Sequence, residues 1–365
     1  MSVRRSSRRS LVGSAAALCA LTLCGCGGSA NAGGRLVTAT PGRSTSTAPV
    51  VPTTTPAPIP SATPLLSTDP EPGLRVLFTG DINPGRCPAQ IALEADDFSL
   101  PYRAVMEALS AADLAVGSLD GSLTDIDAPA PCTPERVYNL IGPTRTAEGL
   151  ALAGFDVLSL ATNHAQDCGR HGFVCDGRAL ADTLAALNAG GIAPVGAGAT
   201  LADARRPIVI ELDGVRLAFL AVSAVGEFAW ASADAPGIAP LSEASLRDVL
   251  ADIRAARADT DAVIVLAHWG IEYDPTPSSD QRRWAERMIA SGATLVVGNH
   301  PHVIQPVEPL EDGLVAYALG NFVFDQDPEA TRRGLVLEAT FSRQGLVAWR
   351  TLPIEIVELH RPEWR

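Results

Sequence analysis

Lysine is absent from this 365-residue chain, and all 28 of its basic residues are arginine. That absence excludes a phosphate-binding-loop lysine, a Schiff-base lysine and every cofactor scheme that needs either one. Positive charge is scarce overall, because 41 acidic residues set a formal net charge of −13. A nucleic-acid partner is disfavoured, since neutralising phosphates needs a net basic surface. Histidine is rare as well, with six in the chain, yet two of them flank Pro301 in the run LVVGNHPHVIQ at 295–305. What the chain has in quantity is apolar side chain, 47% of its residues, enough for a sizeable core.

The N-terminus reads as targeting sequence rather than fold. Arg4, Arg5, Arg8 and Arg9 precede an apolar stretch at 11–23, too short to span a bilayer and suited to a signal-peptide core. Arg8-Arg9 also weakly resembles a twin-arginine signal, with ordinary secretion preferred. The stretch ends Leu23-Cys24-Gly25-Cys26-Gly27, which resembles a bacterial lipoprotein box. The reading is therefore a signal peptide at 1–25, lipidation of Cys26, a Thr/Pro/Ser-rich tether at 26–70 and a folded domain at 71–365. Cleavage removes four arginines and takes the charge from −13 to about −17. The expected location is the extracytoplasmic face of the cell membrane.

Four cysteines remain beyond Cys26, namely Cys87, Cys132, Cys168 and Cys175. An even number in an exported chain favours disulfides, with three connectivities open. Cys168 and Cys175 enclose a short loop, which leaves Cys87 for Cys132. A zinc cluster is the alternative, without CxxC spacing to support it.

Beyond residue 74 apolar runs alternate with helical patterns. Strands are expected at 75–79, 114–119, 157–160, 192–195, 208–212, 216–222, 263–267, 295–297, 303–307, 314–319 and 335–341. Helices are expected at 101–111, 144–153, 177–189, 242–258 and 281–291. Asp213-Gly214 between two apolar runs signals a hairpin. The mixture predicts an α/β fold, a two-sheet β-sandwich flanked by helices.

Six of these strands run out into loops rich in metal-competent groups. They are GDINPGR with Asp81, GSLDG with Asp120, ATNHA with Asn163 and His164, HWGIEY with His268 and Glu272, HPH with His300 and His302, and GN with Asn321. If the strands share one sheet, the loops meet on one rim. Pro301 fixes its own φ and pushes His300 from the helical region, so the His-Pro-His triplet is expected to be extended with both imidazoles on one side. Carboxylates, an amide and imidazoles together suit one or two divalent ions such as Mn, Zn or Fe.

These motifs, with LSLATNHAQDCG, NHPHVIQ and YALGNFVFDQ, resemble the poly-γ-glutamate capsule-synthesis (CapA) family, whose domain is similar to the calcineurin-like metallophosphatases. The resemblance implies a four-layer fold of that kind. It implies Asp81, Asp120, Asn163, His268, His300 and His302 as metal ligands. It makes His164 the proton-handling residue, with Glu272 beside it in the catalytic group, and Arg86 and Asn321 substrate-binding or supporting residues. Its functional implication is a protein of capsule synthesis or processing, favoured as a metal-dependent hydrolase or transferase. The other readings are a non-catalytic export component and a secreted phosphoesterase. Implied partners are an anionic envelope polymer such as poly-γ-glutamate, the membrane and the capsule-synthesis membrane proteins. Three positions depart from the pattern: Asp120 stands for a glutamate, Thr162 for an asparagine, and Asn83 where phosphatases carry a histidine.

Overall fold

Near-continuous aliphatic runs build the centre of the molecule. The computed structural model describes Ser10–Leu11 and residues 73–365, apart from 134–137 and 170–175. The expected signal peptide and tether, with Cys26, otherwise lie outside the described residues, as does Cys175. In chain order the main elements are β1 (Leu74–Ile82), α1 (Arg86–Ala95), α2 (Met106–Ala111), β2 (Leu114–Leu119), α3 (Thr146–Ala153), β3 (Val157–Ser159), α4 (Arg178–Ala189), β4 (Ala193–Val195), β5 (Ile208–Leu212) and β6 (Val215–Ser223). They continue with α5 (Leu246–Ala258), β7 (Ala262–His268), α6 (Ser279–Ala290), β8 (Leu295–Asn299), β9 (Val307–Leu310), β10 (Gly313–Ala316), β11 (Asn321–Val323), β12 (Arg333–Ser342), β13 (Gly345–Val357) and β14 (Arg361–Trp364).

One sheet has the order β14-β13-β12-β1-β2-β3-β4, with β1 to β4 parallel and β11 pairing parallel to the end of β1. The other has the order β5-β6-β7-β8-β10-β9, with β6, β7, β8 and β10 parallel and antiparallel strands at its edges. Ser10–Leu11 pairs with β5. Every residue of β2 and β7 is buried, as parallel strands covered on both faces require.

The sheets stack through Val76, Phe78 and Val116 on one side and Phe219, Ile264, Leu266 and Val297 on the other. Helices α2, α3 and α4 cover the outer face of the first sheet with Leu109, Leu150, Leu180 and Leu187. Helices α5 and α6 cover the second with Leu250, Ile253, Trp284 and Met288. Each such side chain contributes about 1.5–3 kcal/mol relative to exposure. The architecture is the helix-flanked two-sheet sandwich that the periodicity predicts.

Several expectations are corrected. The strand expected at 303–307 is displaced: Pro306 lacks a ladder donor, and β9 begins at Val307, just after it. The expected strand at 314–319 stops at Ala316, and the chain then crosses to the other sheet, where Asn321 pairs with Asp81. The helix expected over 101–111 breaks into a 3-10 turn at Leu100–Tyr102 followed by α2. Helix α1 and strands β13 and β14 were not anticipated. Asp213 and Gly214 both take positive φ, 51° and 79°, and close the β5–β6 hairpin.

Candidate metal centre

The C-terminal ends of the parallel strands carry the polar groups. Asp81 closes β1, Asp120 follows β2, Asn163 and His164 follow β3, His268 ends β7, and His300 and His302 follow β8. These strands belong to two sheets rather than one. The loops therefore meet between two stacked edges, and His268 reaches across to Asp81, Asp120 and Asn163.

Distances among the donors are short. His268 Nε2 lies 2.8 Å from Asn163 Oδ1 and 3.8 Å from Asp120 Oδ1. Asp81 stands between the groups, with Oδ1 3.8 Å from His268 Nδ1 and Oδ2 3.6 Å from His302 Nδ1. Donors that share an ion at about 2.1 Å stand roughly 3–4 Å from one another, which the distances among His268, Asn163, Asp120 and Asp81 match, while His302 Nδ1 is taken by Asn321 and leaves Nε2 for an ion. Asp81 Oδ1, both Asp120 carboxylate oxygens, His268 Nδ1 and His300 Nδ1 are buried without a hydrogen-bond partner. Unsatisfied buried groups cost about 1–3 kcal/mol each, more when charged, and a divalent cation would satisfy them together. The donor set therefore fits a divalent metal.

Electrostatics point the same way. Burial, then the charge of Asp120, holds the Asp81 carboxyl well above its ordinary range, and burial raises Asp120 to about 6. Burial, then neighbouring histidines, holds His268 well below the imidazole range and brings His302 to about 3. His300 falls to about 4, by burial and then by His164. The imidazoles are neutral at physiological pH, which is the form that ligates a metal.

The His-Pro-His triplet is not extended. His300 has φ 95° and His302 φ 59°, so both sit in the left-handed region. The turn is held because the His300 N–H donates to Asp81 Oδ2 at 2.9 Å. The two rings still converge, with centroids 6.0 Å apart. Strained backbone of this kind concentrates at functional sites.

His164 lies beside the donors with Nδ1 2.7 Å from Asp167 Oδ2, and Asp167 also accepts from the Leu140 N–H at 2.7 Å. Burial lowers the His164 pKa, but the charge of Asp120 and then the hydrogen bond to Asp167 outweigh it and raise the value to about 9. Arg86 is buried and its guanidinium grips Asp325, while Asn321 is fully buried and spends its amide on His302, Gln326 and Thr331. Both support the shell. Glu272 is exposed, with a carboxylate oxygen within 4.8 Å of ring nitrogens of His300 and His302.

Asp325 was not singled out in the sequence, although it stands within FVFDQ. It is buried and accepts from Asn83 Nδ2 at 3.1 Å, Arg86 Nε at 3.1 Å and the Cys87 N–H at 3.3 Å. Asn83, standing where an imidazole would add a ligand, is turned into this network. Cys87 is bridged to Cys132. Cys168 is disulfide-bonded.

Two relatives are similar to the chain over most of its length. The PGA biosynthesis protein CapA of Bacillus subtilis (strain 168) is 30% identical over 304 residues, covering 81% of this chain and 75% of the relative. The capsule biosynthesis protein CapA of Bacillus anthracis is 29% identical over 287 residues, covering 78% and 68% respectively. A hypothetical protein from Thermus thermophilus of known crystal structure has a TM-score of 0.46 and 18% identity, over 78% of this chain and all (100%) of that one. The model of the family described as bacterial capsule synthesis protein PGA_cap matches residues 75–326, and the chain belongs to that family.

Proposed function

We propose that this chain acts in poly-γ-glutamate capsule synthesis or processing as a metal-dependent hydrolase or transferase at the extracytoplasmic face of the cell membrane. The family and the names of its relatives support the capsule role. The observation that carries the enzymatic reading is the convergence of Asp81, Asp120, Asn163, His268, His300 and His302, with buried donors left unpartnered. In this reading the signal peptide is cleaved, Cys26 is lipidated and residues 26–70 tether the domain to the membrane.

One or two divalent ions held by these six residues, Mn, Zn or Fe by donor type, would supply Lewis acidity and neutralise the buried carboxylates. The protein's own contribution is proton handling. Asp167 occupies His164 Nδ1, so Nε2 is the nitrogen left to deliver a proton to a leaving group. Asn321 fixes the His302 ring through Nδ1. A mature chain near −17 repels a polyanion at long range, so the substrate must approach through the positive charge of the bound ions.

The experiment is direct. Metal content of the purified protein is measured, then γ-glutamyl and phosphodiester hydrolysis with and without chelator and with His164→Ala. Bound metal with chelator-sensitive, His164-dependent cleavage of the γ-glutamyl polymer supports the proposal, whereas phosphodiester cleavage alone makes the protein a secreted phosphoesterase. Absence of transition metal together with indifference to chelator defeats the enzymatic reading. A second reading, a non-catalytic component of the export machinery, is favoured by Asn83 facing Asp325 instead of the donors. Bound metal without cleavage of either substrate would support it.

A further inference from the structure

The loop between β7 and α6 is laced to the His-Pro-His turn. Gly270 at φ 93° and Tyr273 at φ 65° bend it back, and the Tyr273 N–H donates to the Pro301 carbonyl at 2.8 Å. Tyr273 Oη accepts from Gln326 Nε2 at 3.3 Å, Gln326 Oε1 accepts from Asn321 Nδ2 at 3.0 Å, and Asn321 Oδ1 meets His302 Nδ1 at 2.9 Å. This ring of contacts ties Tyr273, the residue after Glu272, to the His-Pro-His turn. A Glu272 carboxylate oxygen and one nitrogen from each of the His300 and His302 rings all lie within 4.8 Å of one another.

The same side of the site is short of a donor. Asn83 cannot turn inward while Oδ1 accepts from the Gly85 N–H at 2.8 Å and Nδ2 donates to Asp325. His300 Nδ1 and Asp81 Oδ1 remain buried and unpartnered. His268, Asp120 and Asn163 form a second group on the other side of Asp81, and the His300 ring lies between the two groups, 4.8 Å from the His268 ring and 6.0 Å from the His302 ring.

We propose that Glu272 is a metal ligand, which together with His300 and His302 holds a divalent transition-metal ion at the mouth of the site and replaces the donor that Asn83 does not supply. The inference rests on the metal reading given above and adds a ligand to it. Two imidazoles and one carboxylate are a donor set for Zn, Mn or Fe(II) that leaves coordination positions open to water or substrate. Because the carboxylate comes from an exposed loop, the ion at this position is the one nearer to solvent.

The test uses the full mature chain stripped of metal by chelator. Mn²⁺ and Zn²⁺ are titrated calorimetrically, bound metal is counted, and Co²⁺ visible absorption reports the coordination of the ions. Glu272→Gln is compared with Glu227→Gln, an exposed acid outside the donor set. Glu272→Gln is expected to weaken one ion by at least about 10-fold and to change the Co²⁺ spectrum, while Glu227→Gln does neither. The metal-free melting temperature stays at the wild-type value in both variants, which separates ligand loss from misfolding. Wild-type stoichiometry, affinity and Co²⁺ spectrum in Glu272→Gln overturn the assignment. A wild-type chain that binds no ion defeats the underlying metal reading instead.

Discussion

His164 carries a proton that the surrounding carboxylates hold in place. Its folded pKa of about 9 lies above the ordinary 6.5, so in the metal-free protein its stabilising effect is complete below pH 6.5 and disappears as the pH rises through 9. Asp120 titrates near 6, below that window. The expected outcome is a melting-temperature gap between wild type and His164→Gln that is largest near pH 6.5 and closes above pH 9, corresponding to a loss on the order of 3 kcal/mol. Thermal unfolding in chelator across that range measures it, and a gap that widens with pH would contradict the assignment. Asp325 makes a second case at this scale, because it satisfies the buried Arg86. Asp325→Ala removes the carboxylate that grips this buried guanidinium and is expected to cost about 3–5 kcal/mol by denaturant unfolding. The residues of the site were legible because each stands in a short polar motif after an apolar run. The conformation of His300 and His302 was not, since the rule for a residue before proline gives way to the tie between the His300 amide and Asp81.

Strands β2 and β7 were readable as apolar runs, and their burial on both faces explains why. Helix α1 was missed although Pro88 and the run AQIALEA mark a helical start, because Arg86 enters it at φ 47°, a departure that propensity does not register. Strand β13 was missed for a different reason: it is half buried along most of its length and contains Pro353, so no clean alternation shows. Strand β8 depends on a residue without a side chain. A Cβ on Gly298 would collide with the Tyr317 carbonyl oxygen and Trp269 Nε1, which are themselves bonded at 2.9 Å. Gly298→Ala is expected to destabilise the fold by at least about 1–3 kcal/mol and to weaken metal binding, since His300 lies two residues on. Paired unfolding and metal titrations of the variant check both effects, and a wild-type melting temperature would show that the contact relaxes without cost.

At the scale of the whole molecule the site exists only where two sheets face each other. A polar rim could be anticipated from sequence; its division between two sheets could not, because strand order depends on contacts far apart in the chain. Metal should therefore act as a clamp between the layers. At a free concentration of 100 Kd, Mn²⁺ or Zn²⁺ is expected to add about 2.7 kcal/mol, seen as a rise in melting temperature that chelator reverses. No rise at saturating metal would mean that the ions bind the unfolded chain equally well. The Cys87–Cys132 bridge belongs to this scale too. Cys87 lies in the first turn of α1 beside Arg86, and Cys132 donates its N–H to Gln90 on the same helix at 2.9 Å. The bond clasps the helix whose first turn braces Asp325. Oxidation of two thiols becomes a step in bracing the candidate site, so a copy folding among reductants keeps a slacker site than one folding where thiols oxidise.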